Sequence, residues 1–230
     1  MSIEKLHDQQ LNGLAHDLMH AKNNIFLFRE IKNNWEKINE LPKEDIQWII
    51  FLKDTSVQQS IMYLSKLFDS SGERNNKNKE TRCIRDLLKQ IKYQEVNKPI
   101  IVDFIWSQFC EKHENALELI QFKPEYGAEN LISHIQTFLD TEFNSKTFQE
   151  FVLKKLKELR NKNVAHNENT EITSQLLFEE SEKLIFLADA ILDFINTFLS
   201  LGQSVIYSDL DYVINLQLDR IINKVNYEQL

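Results

Sequence analysis

Apolar residues recur every three or four positions along most of the chain, with short polar breaks between the runs. That period belongs to helices with one face turned inward. Leu11, Leu14, Leu18, Ala21, Ile25 and Phe28, extended by Trp35 and Ile38, predict one long first helix over roughly residues 3–38. Glu40-Leu41-Pro42 ends it, because proline lacks the amide that continues the ladder and pushes the residue before it out of helical geometry. A second helix, roughly Glu44 to Phe68, carries Trp48, Ile49, Phe51, Leu52, Ile61, Leu64 and Leu67 and is expected to pack on the first. Asp69 to Lys79 then loses apolar residues altogether and reads as a loop. Its Arg74, Lys77 and Lys79 suit a phosphate backbone, although a solvated loop is the commoner meaning of such a run.

A short helix is expected at Thr81 to Lys92, and a longer one from about Pro99 to Gln121, where proline occupies a first turn at no cost. Phe104, Ile105, Trp106, Phe109 and Cys110 are its core candidates. Lys123-Pro124-Glu125 breaks the chain, and Asn130 to Leu139 gives a shorter helix. The run Phe148 to Leu159, capped by Ser145 or Thr147, brings Arg160 to its end, where a cation suits the negative helix pole. The run Leu176 to Leu201, capped by Thr173 or Ser174, would turn Leu177, Leu184, Leu187, Ile191, Phe194, Ile195 and Phe198 inward and stop at Gly202. Asp209 to Val225 makes a last helix. The expectation is an all-α bundle with long first and penultimate helices, read as a single domain over residues 1–230.

Composition agrees with helices. Four glycines and three prolines leave few tight reversals for an all-β or α/β fold, while 230 residues at 42% hydrophobic content suffice for a real core. A net charge of −8 repels polyanions at long range, so a nucleic-acid partner requires a local basic patch or a second protein. Cys83 and Cys110 form no metal-binding spacing and are expected as reduced thiols. No basic stretch followed by an apolar run opens the chain, and Asp189, Asp193 and Asn196 interrupt the apolar segment Phe186 to Leu201. A soluble, cytoplasmic protein without a membrane span is therefore expected.

The stretch that invites chemistry is Arg160-Asn161-Lys162-Asn163-Val164-Ala165-His166, between two strongly periodic runs. A guanidinium holds a phosphate through two parallel hydrogen bonds, and an imidazole moves a proton near neutral pH. Together they suggest phosphodiester chemistry without metal or cofactor. The alternative meaning is ordinary: an arginine closing a helix and a histidine in solvent. His16 and His20 stand four apart, a metal-ligand spacing, but no third ligand is evident, and a solvated helix face is the expected reading. His113, among Glu111, Lys112 and Glu114, reads as surface; His7 and His134 have no recognisable partner. Phe148, Phe151 and Phe178 fall at helical spacing and read as core rather than a base-stacking platform. No P-loop, dinucleotide fingerprint or GxSxG elbow is present.

An arginine, a following asparagine and a histidine after a gap of five residues resemble the active-site motif of the HEPN superfamily. The text LRNKNVAHNE is similar to the abortive-infection AbiU-type branch, with LSKLFDSSG, CIRDLLKQI and FLSLGQS as further points of likeness over about residues 45–205. The resemblance implies an HEPN-like helical bundle and metal-independent RNA cleavage, in which the ribose 2′-hydroxyl attacks the adjacent phosphate. His166 would be the proton carrier, Arg160 would stabilise the phosphorane, Asn161 would steady the arginine and Lys162 would add charge. One such site has one proton carrier, and HEPN folds commonly pair two motifs across a two-fold axis, so a homodimer is implied. The setting implied is bacterial defence, as an abortive-infection effector or the toxin of a toxin–antitoxin pair, with an antitoxin or nucleotidyltransferase as partner. Some members carry a modifiable tyrosine two places after the histidine; Glu168 stands there in this chain. The second reading is a non-catalytic HEPN module that binds RNA or a partner protein.

Overall fold

The computed structural model describes residues 13–68, 83–93, 103–141 and 174–198, and all regular structure within them is helical. Helix α1 (Leu14–Asn33) buries Leu14, Leu18, Ala21, Ile25 and Phe28, the predicted face. The predicted first helix does not run unbroken to Ile38. Asn34 leaves helical geometry (φ −99°, ψ 14°), and its side-chain amide donates to the carbonyl of Glu30 at 2.9 Å, a local bond that competes with the backbone ladder. A one-turn helix, α2 (Trp35–Ile38), comes next. Pro42 then leads into α3 (Lys43–Phe68), which returns antiparallel along α1, so that Lys66 meets Asp17, Tyr63 meets His20 and Lys53 meets Trp35.

Helix α4 (Ile84–Tyr93) buries Ile84, Leu87, Leu88 and Ile91. The predicted helix over Pro99 to Gln121 is two helices where it is described, α5 (Asp103–Lys112) and α6 (Glu114–Leu119), separated by His113 at φ −111°, ψ 23°. Phe104 (69% exposed) and Ile105 (39%) are not core; among the described residues it is the opposite face of α5 that packs. Trp106 is partly buried, and its ring lies edge-on to Phe194 and Phe198. At the end of α6, Gln121 adopts φ +55°, and the amides of Gln121 and Phe122 bond to the carbonyls of Glu118 and Leu117. This is a Schellman cap, and the apolar residues at its two ends, Leu117 and Phe122, are both buried in the main core. A 3-10 turn (Pro124–Tyr126) and Gly127, at φ +81°, lead into α7 (Ala128–Thr141). Arg85 and Gln136 tie α4 and α7 by donating to the carbonyls of Leu139 and Leu88.

Helix α8 (Ser174–Phe198) packs against α1, α3 and α6 and carries Leu184, Leu187, Ile191, Phe194, Ile195 and Phe198 into the main core, as predicted. A smaller cluster of Ile31, Ile38, Leu41 and Ile49 sits under the α1–α3 turn. No helix among the described residues is long and apolar enough to cross a membrane. Two acidic positions along α8 find cations on α1. Glu182 meets Arg29 at 3.2 Å and Asp189 meets Lys22 at 2.9 Å, a seven-residue step on both helices that fixes α1 and α8 antiparallel.

A third, Asp193, is bound most closely. Its Oδ2 accepts from His113 Nε2 and Lys112 Nζ, both at 2.7 Å. His113 is thus buried rather than at the surface, and the break between α5 and α6 is where its ring reaches α8. Burial by itself would push the Asp193 carboxyl up. The hydrogen bonds from His113 and Lys112, with their charges, outweigh burial and hold it down at about 2, from an ordinary 3.8. A carboxylate depressed in this way stabilises the fold above its ordinary pKa and loses that contribution as pH falls toward 2. Asp193→Asn is expected to be less stable than the parent by on the order of 2 kcal/mol at pH 6. The gap should close as pH falls from about 4 to about 2. Urea denaturation at stepped pH measures this, and a gap that stays constant across the series contradicts the assignment.

Candidate functional site

The residues singled out for chemistry, Arg160, Asn161, Lys162 and His166, lie outside the described residues, as do Glu168, the loop cations Arg74, Lys77 and Lys79, and His7. The described part of the chain resumes at Ser174, eight positions beyond His166. The helix that begins there, α8, packs against α1, α3 and α6. From Glu182 onward it is held to α1 by two ion pairs and to the α5–α6 junction by His113 and Lys112.

Other chemistry-bearing groups do lie among the described residues. Burial holds both thiols in the protonated form. Burial pushes Cys83 up to about 12 and Cys110 up to about 11, so the reactive thiolate is scarce at neutral pH. The Cys83 thiol also donates to Asp86 at 3.2 Å, at the start of α4.

A cleft of about 370 Å³ is lined by Phe122, Tyr126, Asn130, Ser133, His134 and Thr137. Asn130, Ser133 and Thr137 donate to backbone carbonyls of their own segment, and His134 Nε2 bonds to the carbonyl of Ile120 at 2.8 Å. His134 thus has a partner that the sequence did not reveal. None of the described residues that line the cleft is an arginine or a lysine.

The densest group of titratable side chains lies where α1 crosses α3. His16 and His20 face each other with Nε2 atoms 3.1 Å apart and ring centroids 4.3 Å apart. Tyr63 of α3 stacks on the His20 ring at 4.8 Å, nearly parallel. Asp17, which lies between them in sequence and is buried, has Oδ1 3.8 Å from His16 Nδ1 and 3.7 Å from Lys66 Nζ. The expected solvated face is not what forms, because α3 covers one side of this turn and both histidines are partly buried. Burial lowers the pKa of His20, helped by His16 and Lys66 and opposed by Asp17. His20 is thereby kept neutral near pH 7. No three histidine, cysteine or carboxylate side chains among the described residues gather as a metal-binding set.

Comparison with known proteins addresses the chain as a whole. No curated protein and no solved structure matches it. A family model, HEPN_AbiU2, described as AbiU2, matches residues 4–216. The matched stretch takes in the 45–205 region of likeness and extends past it at both ends, so it includes α1 and the whole Arg160 to His166 segment. With all but three residues at one end and fourteen at the other inside the match, the chain belongs to the AbiU2 family of all-α HEPN proteins associated with abortive infection.

Proposed function

We propose that the protein is a metal-independent endoribonuclease of bacterial defence, acting as an abortive-infection effector or as the toxin of a toxin–antitoxin pair. The observation that carries this reading is the presence of Arg160 and His166, at the HEPN motif spacing, inside the family match. In the reaction, a base takes the proton of a ribose 2′-hydroxyl, the oxygen attacks the neighbouring phosphorus, and the leaving 5′-oxygen receives a proton. The products are a cyclic phosphate and a free 5′-hydroxyl. His166 carries protons near neutral pH, and Arg160 holds two oxygens of the negatively charged phosphorane. Asn161 orients the guanidinium and Lys162 adds charge.

A single copy supplies one imidazole, and base and acid are both needed. Two copies related by a two-fold axis supply both, and bring two Arg160 and two Lys162 together on a chain whose net charge is otherwise −8. Local field then overcomes long-range repulsion of RNA. An antitoxin or nucleotidyltransferase partner would restrain such an activity. Glu168 offers no hydroxyl at the place where relatives carry a modifiable tyrosine, so restraint by nucleotidyl transfer would need another acceptor.

A second reading has its own support. Trp48 and Phe51, more than half exposed, stack on each other at 5.4 Å on the outside of α3. Such a pair suits a non-catalytic module that docks on a partner protein.

Arg160→Ala and His166→Ala should each lower cleavage of single-stranded RNA by about 10²–10⁴-fold and relieve toxicity on expression, with the helical circular dichroism unchanged. Folded variants as toxic as the parent would remove the nuclease reading and leave the docking one. Cleavage should survive an excess of EDTA, because no step calls on a metal; complete loss would point to different chemistry. In a dimer-shared cleft, mixing Arg160→Ala with His166→Ala chains should give an activity different from that of either variant alone. A protein that cleaves at concentrations where ultracentrifugation finds only monomer contradicts the shared cleft.

A further inference from the structure

We propose that His16 and His20 form a two-imidazole binding site for a first-row divalent cation of the zinc and copper type. The two Nε2 atoms already converge, 3.1 Å apart on successive turns of α1. Metal–nitrogen bonds of about 2.0–2.1 Å spanning that separation subtend roughly 95–100°, an angle between octahedral and tetrahedral values. A cation bound at that angle lies off the line between the two nitrogens, so each ring turns to aim its Nε2 lone pair at it. In the metal-free pair one Nε2–H donates to the other nitrogen. On binding, that ring shifts its proton to Nδ1, and both Nε2 lone pairs are free for the cation.

The surroundings favour this. His16 Nδ1 is buried and has no hydrogen-bond partner among the described residues, and it stands 3.8 Å from the Asp17 carboxylate. An approach of under about 1 Å would give the carboxylate–imidazole–metal arrangement that orients ligating histidines elsewhere. The Tyr63 ring, stacked on His20, limits its rotation. Lys66, 3.7 Å from Asp17, is the opposing charge; its side chain is nearly half exposed and Asp17 balances it. His16 is partly open to solvent, so water completes the coordination sphere. Nitrogen ligands without thiolate or carboxylate select copper, nickel and zinc over magnesium and calcium.

The proposal does not rest on the nuclease reading, because that reading gives His16 and His20 no role. Calorimetric titration of the full chain with ZnCl₂ should show binding that MgCl₂ does not give. The melting midpoint should rise by about 5–10 °C at a hundredfold excess of Zn²⁺ over its dissociation constant. His16→Gln and His20→Gln should each weaken Zn²⁺ binding by on the order of tenfold to a hundredfold, while His134→Gln leaves it unchanged. Zn²⁺ affinity that is the same in His16→Gln, His20→Gln and the parent overturns the proposal, as does the absence of binding at millimolar Zn²⁺. Should the glutamine variants fail to fold, imidazole nitrogen spectra of the parent decide. Of the six histidines, two rings should shift with Zn²⁺, one of them the ring in contact with Tyr63. Shifts confined to other rings, or none, overturn the site.

Discussion

A carboxylate placed on an apolar helix must be given a cation when that helix is buried, since the uncompensated charge costs several kcal/mol. Three acidic residues of α8 meet this condition together, and their partners organise the fold. Arg29 and Lys22 lock the direction and register of α1 against α8, while His113 and Lys112 bring the α5–α6 junction to Asp193. The pairs are unequal. Arg29 is nearly half exposed, so its bond adds specificity more than energy, whereas Asp193 and His113 are shielded from water and depend on each other. Around them, apolar packing supplies most of the stabilisation: Phe109, Phe194 and Phe198 form a ring cluster with centroids 4.9–5.7 Å apart.

This arrangement bears on function through chain order. The helix so firmly held is the one the chain enters eight positions after His166. In an HEPN reading, a guanidinium and an imidazole must be presented to one phosphate with little positional slack. The acidic balance of the chain acts on a different scale. A net charge of −8 sets the long-range field but not the local one.

The histidines show where sequence reasoning runs short. His113 sits among charged residues and looks solvated, yet it is buried against a carboxylate eighty positions away. The usable signal was on the other side: an aspartate in the apolar run around Phe194 needs a partner, and a histidine or lysine was bound to supply it. His16 and His20 were visible as a spacing, but the covering tyrosine and the 3.1 Å approach depend on how α3 folds back. Phe104 and Ile105 look like core by composition, yet both are exposed on α5.

Read alone, the sequence determined the all-α class, the extents of α3 and α8 to within a few residues, the inward face of α8 and the AbiU-type family. Each of these is written in local spacing, in scarce glycine and proline, or in a contiguous run of residues. The tertiary structure alone decided which acids meet which cations, where helices break at Asn34 and His113, and which aromatic faces stay in solvent. Those outcomes arise from contacts between positions far apart in the chain, and periodicity, which reports only that a face is apolar, carries no information about what it will meet.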